Sequence, residues 1–261
     1  MRIFIWNMLL IFVALFMLFS FGEPREKEDQ LASGLLLTFD DRNMLNWEKQ
    51  IPLFAKYDAH VTFFVDHFDE LSPEQIHALK KLKNAGHAIG CHGLRHLKAA
   101  EYCRTYPVNR YIAEEIAPAV KIMEENGFPP SCFAYPYSNH DDTTDKALLE
   151  YFRHLRSGCG IAGSMESTEN AFVSMGNIRG KGRLDGISFH PKYKTDELVI
   201  QAKRAVDRIK GKGELLVLYA HDIRNEAEEG PKNYITPEAL EEILKYAAGK
   251  QIRLCSFDEL P

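Results

Sequence analysis

The chain has 261 residues, of which 45% are hydrophobic and 26% are charged, a composition typical of a folded globular protein. This length suits one large α/β domain. The formal net charge of -5 leaves no basic excess, which argues against nucleic acid as a partner.

The N-terminal segment differs in kind from the rest of the chain. Arg2 precedes an apolar stretch at residues 8–19, and the small residues Ser20 and Gly22 follow it. This order is that of a secretory signal peptide, although the apolar stretch counted from Ile3 approaches the roughly 20 residues that span a bilayer. We expect cleavage near Gly22, with an uncleaved membrane anchor as the alternative.

The chain therefore divides into three parts. Residues 1–22 are the signal peptide or membrane anchor, 23–33 form a polar linker, and 34–261 form the folded domain. In either case we expect the domain to be exported to the periplasm or the extracellular space, with the N-terminal segment engaging the membrane during export.

Beyond the linker, short apolar runs typical of strands alternate with helical patterns. The strand-like runs are 34–39, 60–65, 87–91, 131–135, 214–219 and 251–256. The helical patterns are 46–57, 72–84, 110–126, 143–152, 195–210 and 237–248. This alternation predicts a parallel sheet covered by helices. The strand count between 157 and 194 stays open, and the glycine-rich stretch 176–183 predicts a loop.

Candidate functional residues stand just past the C-terminal ends of four predicted strands. In β/α barrels, reactive groups gather on the rim that these strand ends form. Four independent placements on one rim favour a barrel or partial barrel over an open doubly wound sheet. The residues are Asp40, Asp41, His92, Pro136, Tyr137 and His221.

Two carboxylates and two imidazoles on this rim suit a divalent ion. Catalytic zinc sites commonly use three protein ligands and leave one position open to water. Asp41, His92 and His96 supply such a set, and Asp40 remains as a base. Water on such an ion has a pKa lowered from 15.7 to about 7. An Asp-Asp pair such as Asp40-Asp41 is by itself more often part of a solvated turn, and a histidine pair such as His92 and His96 is more often exposed without a metal. The joint placement of the two pairs predicts a metal hydrolase.

With these residues in place, the chain resembles the NodB-type polysaccharide deacetylases, carbohydrate esterase family 4. The resemblance covers about residue 34 to the C-terminus and implies a distorted, seven-stranded (β/α) barrel. The motifs that carry it are Thr38-Phe39-Asp40-Asp41, His92-Gly93-Leu94-Arg95-His96, Phe133-Ala134-Tyr135-Pro136-Tyr137 and Leu218-Tyr219-Ala220-His221.

The resemblance implies a role for each matching residue. Asp40 would be the general base and His221 the general acid, and Asp41, His92 and His96 would be the metal ligands. Zn²⁺ is the expected ion, with Co²⁺ or Ni²⁺ as alternatives, since all three accept imidazole and carboxylate.

The third motif would border the substrate. Tyr135, Pro136 and Tyr137 are the expected substrate-binding residues, and the backbone N–H of Tyr137 would help to hold the oxyanion. The two tyrosine rings have an alternative, which is packing against the barrel.

The first departure from the family pattern concerns the base. Ala134 stands where the family usually has an arginine that pairs with it. Arg42, Arg95 and Arg156 are the candidates to take this place, and the sequence does not choose among them.

Further departures affect the loop and the substrate surface. Gly93 replaces a usual Ser or Thr, and Ala220 replaces a larger aliphatic residue. No Asp-rich motif ending in Trp occurs, and the only tryptophans are Trp6 and Trp47, so one wall of the sugar groove has no counterpart.

These observations predict a metal-dependent hydrolase that removes acetyl groups, with the N-acetyl groups of a cell-wall or extracellular polysaccharide as the leading candidate. Its partner would be an acetylated polysaccharide or oligosaccharide. One alternative is a carbohydrate-binding protein that retains the metal pocket but has little catalysis. Another is an esterase acting on an O-acetylated glycan.

The five cysteines include no Cys-x-x-Cys pair, which argues against a structural zinc site. Cys91 adjoins His92, but neighbours in a strand point to opposite faces. We therefore expect Cys91 to face the core and His92 to face the rim.

Overall fold

The structure, a computed structural model, describes residues 32–190, 195–225 and 233–261. The predicted signal or anchor segment, and with it most of the linker, lies outside the described residues. Within those three ranges, no helix is both long enough and apolar enough to cross a membrane.

Seven parallel strands form a closed barrel, because the last of them pairs back to the first. The described strands are β1 (Gly34–Asp40), β2 (Thr62–Val65), β3 (Ala88–Cys91), β4 (Cys132–Ala134), β5 (His154–Cys159), β6 (Phe172–Ser174), β7 (Arg183–Ser188), β8 (Glu214–Ala220), β9 (Asp222–Ile223), β10 (Tyr234–Ile235) and β11 (Arg253–Leu254). The barrel consists of β1, β2, β3, β4, β5, β7 and β8, and this ring confirms the predicted distorted (β/α) barrel.

Two short strands distort the barrel at the N-terminal ends of its strands. The start of β1, at Gly34 and Leu35, pairs with β11, and only its end, from Thr38, pairs with β2. In the same way the start of β8 pairs with the antiparallel β6, and its end pairs with β7. At the opposite ends, where the predicted functional residues lie, the seven parallel strands pair only with one another.

Helices surround the barrel. Where we predicted single helices at 46–57 and 110–126, the first is broken into two short helices, Met44–Glu48 and Ile51–Lys56, and the second contains a π-helical turn at Ile112–Ile116. The helix predicted at 72–84 is present, with Ser72 as its N-cap and the reciprocal hydrogen bonds of a capping box. The helices are α1 (Met44–Glu48), α2 (Ile51–Lys56), α3 (Pro73–Asn84), α4 (Ala99–Thr105), α5 (Val108–Tyr111), α6 (Ala117–Glu125), α7 (Asp142–Leu148), α8 (Ile178–Lys181), α9 (Thr195–Ile209) and α10 (Pro237–Gly249).

The barrel wall separates two apolar clusters, because alternate residues of a strand face opposite sides. Leu35 and Leu37 of β1 pack in the larger cluster beneath the helices, whereas Leu36 belongs to the smaller cluster inside the barrel. Continuing the alternation, Thr38 and Asp40 face the interior. The inside of the barrel is thus apolar at its base and polar at the rim.

Candidate active site and metal-binding site

Asp40 and Asp41 follow one another at the end of β1, yet both approach the same site. Neighbours in an extended strand point to opposite faces, so the second carboxylate needs a change of backbone direction. Asp41 supplies it with a φ of 78°, in the left-handed region. Backbone strain of this kind in a non-glycine residue clusters at functional sites, where the surroundings impose it.

Asp41, His92 and His96 form a triangle of ligand atoms. The Nε2 atoms of the histidines lie 3.1 Å apart, and Asp41 Oδ1 lies 3.7 Å from His92 Nε2 and 3.6 Å from His96 Nε2. Ligands about 2.0 to 2.1 Å from a tetrahedral Zn²⁺ are separated from one another by about 3.3 Å. The three side chains therefore fit a divalent ion, and no movement is needed for them to share one centre.

The tautomer of His92 suits this role. Its Nδ1–H donates a hydrogen bond to the carbonyl oxygen of Ala134 at 2.8 Å, which leaves the lone pair of Nε2 free toward the triangle. Burial lowers the pKa of His92 to about 4, so the ring is neutral over the physiological range. Burial also lowers the pKa of His96.

Three carboxylates crowd around the same place. Burial, together with the charges of Asp40 and Asp66, raises the pKa of Asp41 to about 7. Asp66 is itself buried and contacts His67 Nδ1 at 2.9 Å and Arg42 Nε at 3.5 Å. A bound cation would offset this concentration of negative charge, which is a second reason why the residues fit a metal.

The raised pKa of Asp41 predicts that the metal-free protein loses stability as the pH rises. Between about pH 4 and pH 7 the folded chain holds a proton on Asp41 that the unfolded chain has lost, so stability falls as pH rises through this range. Asp41→Asn removes the penalty, and asparagine tolerates the left-handed backbone. We expect this variant, in chelator, to melt a few degrees above the wild type at pH 8.

Thermal denaturation across the pH range checks this prediction. The difference should shrink as the pH falls toward 4, because the unfolded chain then begins to bind the same proton. It should stay modest because the Asp41 side chain is 41% exposed. A wild type and variant with parallel pH profiles would contradict the prediction.

Arg156 occupies the place of the missing family arginine. It lies on β5 directly across the parallel ladder from Ala134 on β4, so the two residues present side chains at the same level of the barrel interior. Its guanidinium donates hydrogen bonds to both carboxylate oxygens of Asp40, and both side chains are almost fully buried. Of the three arginines that the sequence left open, the structure selects Arg156.

This buried pair sets the acidity of Asp40. Burial alone would raise the pKa of the carboxyl, but Arg156, helped by His92 and His221, brings it below its usual value. Asp40 is therefore ionised at neutral pH. The guanidinium also lies over the rings of Phe64 at 5.3 Å and Tyr219 at 4.8 Å, which hold it inside the barrel mouth.

His221, just past β8, is held mainly through its backbone. The indole N–H of Trp47 donates to the carbonyl oxygen of His221 at 2.7 Å, and Asn46 donates to the carboxylate of Asp222 at 3.0 and 3.2 Å. The α1 helix thus fixes the segment that carries the predicted acid. Burial lowers the pKa of His221, opposed by the charge of Asp40, and its Nδ1 has no hydrogen-bond partner among the described residues.

The third motif is divided between the core and the surface. Tyr135 is only 1% exposed and packs against Phe133 on the outer face of β4, so its side chain is not brought to the site. The reason is strand alternation, which turns Ala134 inward and Tyr135 outward. Pro136 is also buried, whereas Tyr137 is 67% exposed and its ring lies 4.7 Å from that of His96.

Tyr137 sits in a strained turn that β5 supports. Tyr137 and Ser138 have φ values of 56° and 54°, two successive non-glycine residues in the left-handed region. The N–H of Gly158 donates to Ser138 Oγ at 2.8 Å, which ties this turn to the strand that carries Arg156. Of the three predicted substrate-binding residues, Tyr137 is therefore the one whose side chain is accessible to a substrate.

A cavity of about 480 Å³ opens beside these residues. Its lining combines the polar residues Ser138, Ser188, His190 and Tyr219 with the apolar Ile161 and Leu198. The ring of His190 lies 5.5 Å from that of His221, which puts the cavity next to the predicted acid.

Several residues that shape the site are not evident from the sequence. A polar residue directly after a predicted strand is the available signal for Asp66, whereas the hydrogen bonds that Asn46 and Trp47 donate from α1 have no signal in the sequence. Cys91 does face the core as expected, with burial raising the pKa of its thiol to about 12. All five cysteines are free thiols.

Comparison with known proteins supports this arrangement. Residues 27–151 match the model of the polysaccharide deacetylase family, a range that contains Asp40, Asp41, His92, His96 and Tyr137. This match confirms the resemblance that the motifs predict. The family's enzymes are hydrolases acting on carbon-nitrogen bonds other than peptide bonds, the predicted class. No curated protein matches the chain significantly.

Solved structures share the fold over most of the chain. A chitin deacetylase from the fungal pathogen Colletotrichum lindemuthianum has a TM-score of 0.56 and 15% identity, covering 87% of both chains. A family 4 carbohydrate esterase from Streptomyces lividans, in complex with acetate, has a TM-score of 0.54 and 17% identity, covering 85% of this chain and 91% of the other. The catalytic domain of a peptidoglycan N-acetylglucosamine deacetylase from Eubacterium rectale has a TM-score of 0.53 and 16% identity, covering 87% and 89%. At these identities the likeness establishes the fold.

Proposed function

We propose that the protein is a metal-dependent deacetylase that acts on an acetylated polysaccharide outside the cytoplasm. The observation that carries the proposal is the pairing of two units at one rim. The Asp41, His92 and His96 triangle has the spacing of a divalent metal site, and the buried Asp40 and Arg156 pair provides an oriented base beside it.

A divalent ion held by the triangle would polarise the acetyl carbonyl and acidify water. Asp40, ionised and held by Arg156, accepts the proton of the attacking water. The N–H of Tyr137 donates to the developing oxyanion, and its strained turn fixes the direction of that N–H. His221 in its protonated form, which the charge of Asp40 favours against burial, gives a proton to the leaving nitrogen, so that the amine departs neutral. The proton that Asp40 accepted from water replaces the one that His221 has lost.

The substrate class is inferred from chemistry and from the relatives. The structurally similar proteins include a chitin deacetylase and a peptidoglycan N-acetylglucosamine deacetylase, and an N-acetylated hexosamine in a cell-wall or extracellular glycan is the corresponding proposal here. Exposed Tyr137 offers a ring for a sugar to stack on, and the cavity lined by the neighbouring Ser138 leaves room for further contacts with the glycan.

The zinc assignment, the signal peptide and secretion are part of the same proposal. Zn²⁺ suits two imidazoles and a carboxylate in a tetrahedral arrangement, although Co²⁺ and Ni²⁺ accept the same ligands. An export signal suits a polymer that lies beyond the cytoplasmic membrane.

The alternative of a binding protein with little catalysis loses part of its basis. Its motivation is Ala134 together with the missing tryptophan motif, and Arg156 supplies the charge that Ala134 lacks. The altered groove remains, so the choice of glycan is where we expect this chain to differ from its relatives.

Acetate release is the direct test. The purified protein should release acetate from acetylated chito-oligosaccharides or peptidoglycan fragments, lose this activity in chelator, and regain it with Zn²⁺. Acetyl-xylan fragments tested in parallel distinguish an O-acetyl esterase. Metal binding without acetate release from any of the three would support the binding protein.

A further inference from the structure

A buried glutamate lies beneath the loop that carries both histidines. Glu115 is 0% exposed and belongs to the π-helical turn between α5 and α6. Its neighbour Glu114 is partly exposed, accepts hydrogen bonds from Tyr102 and Arg110, and lies 3.8 Å from the guanidinium of Arg95. π-Helical turns are rare and occur frequently at functional sites.

The carboxylate of Glu115 binds the backbone on both sides of His96. Its Oε1 accepts hydrogen bonds from the N–H of Arg95 at 2.9 Å and from the N–H of Leu97 at 3.2 Å. Its Oε2 accepts from the side-chain Nε of Arg95 at 3.3 Å. His96 itself has a φ of 56°, a conformation that L residues keep only when the surroundings impose it.

Gly93 makes room for this carboxylate. A Cβ at this position would lie 2.6 Å from Glu115 Oε1, which is too close for a real contact, and the φ of +88° also favours glycine. The departure at Gly93 thus has a structural counterpart. The loop has no side-chain hydroxyl at Gly93, and an acid from the neighbouring helical turn contacts it instead.

We propose that Glu115 is a positioning residue for the metal site. By fixing the peptide groups before and after His96, it holds that imidazole with its Nε2 3.1 Å from His92 Nε2, the spacing that a shared ion requires. The inference rests on the proposed function for the presence of the ion. Glu115 itself touches neither the ion nor the substrate.

The test compares Glu115→Gln with Glu114→Gln, the same change at a carboxylate that contacts the side chain of Arg95 but none of the backbone N–H groups of the loop. Glutamine keeps the volume but loses the charge, and it presents an amide group toward the N–H donors. We expect Glu115→Gln to weaken Zn²⁺ affinity about 10- to 100-fold in competition with a chromophoric chelator, and Glu114→Gln to leave it unchanged. The visible absorption of the Co²⁺ form should shift in the first variant alone.

Amide hydrogen exchange of the metal-free protein provides a readout independent of the ion. The N–H groups of Arg95 and Leu97 should lose protection in Glu115→Gln and keep it in Glu114→Gln. Wild-type affinity, absorption and protection in a folded Glu115→Gln protein would overturn the proposal.

A second pair of variants covers the case in which Glu115→Gln fails to fold. Gly93→Ala displaces the carboxylate without removing it. Gly127→Ala is the matched control, because Gly127 has the same φ of +88° and a Cβ added there would meet no atom within 4 Å. Weaker Zn²⁺ binding in Gly93→Ala alone supports the inference, and equal binding in both refutes it. A wild type that binds Zn²⁺ but releases no acetate would refute the proposed function and leave this comparison valid.

Discussion

Asp40→Asn is expected to lower acetate release about 1000-fold while Zn²⁺ stays bound, whereas Asp41→Ala is expected to lose both the metal and the activity. The two residues are adjacent in sequence but differ in position. Asp40 points into the barrel toward Arg156, and Asp41 completes the triangle with the two histidines. Acetate release and elemental analysis of the same samples separate the two roles.

Asp69→Asn is the control for this pair, since it changes an exposed carboxylate near the same rim. It should retain wild-type metal content and activity. Asp40→Asn leaves the buried Arg156 without its anionic partner, so the variant should also melt earlier, and circular dichroism must establish that it is folded. Full turnover in Asp40→Asn, or full metal content in Asp41→Ala, would contradict the assigned roles.

Arg156→Ala is expected to lower turnover about 100-fold and the free energy of unfolding by about 3 to 5 kcal/mol. The activity falls because Asp40 loses the contact that fixes its carboxylate. The stability falls because a carboxylate that is 3% exposed is left without its partner. Kinetics on acetylated chito-oligosaccharides and chemical denaturation measure the two effects.

The double variant Ala134→Arg with Arg156→Ala tests whether the guanidinium that contacts Asp40 must come from β5 or can also come from β4. Because the two residues are partners across the ladder, an arginine on β4 should reach the same carboxylate and recover a large part of both losses. Arg153→Ala, which removes an exposed arginine beside β5, should have little effect. An Arg156→Ala protein with normal activity would show that the carboxylate of Asp40 does not need Arg156 to hold it in position.

Sequence patterns predict the fold best where strands are apolar. The run 34–39 corresponds to β1, Gly34–Asp40, and the run 214–219 corresponds to β8, Glu214–Ala220. Two barrel strands, β5 and β7, are not predicted. They carry arginine, serine, aspartate and glycine, so neither shows the apolar run by which the others are recognised. The stretch 176–183, predicted as a loop, contains α8 and the start of β7.

The site is predictable to the extent that its residues stand next to strand ends. Asp40, Asp41, His92 and His221 can be found in this way, because the strand before each is visible in the sequence. Arg156 cannot be assigned, since it lies within one of the two strands that lack an apolar run. Glu115 lies in a helical turn and accepts hydrogen bonds from a loop about 20 residues earlier in the chain, and no spacing in the sequence indicates such a contact.

The exchange of Ala134 and Arg156 has a consequence for how relatives are recognised. Adjacent parallel strands deliver register-matched side chains to one interior point, so either strand can supply a guanidinium there. A pattern that requires an arginine at the position of Ala134 would exclude this chain, although Arg156 supplies the guanidinium from the next strand. A pattern that accepts an arginine at either of the two paired positions would retain it.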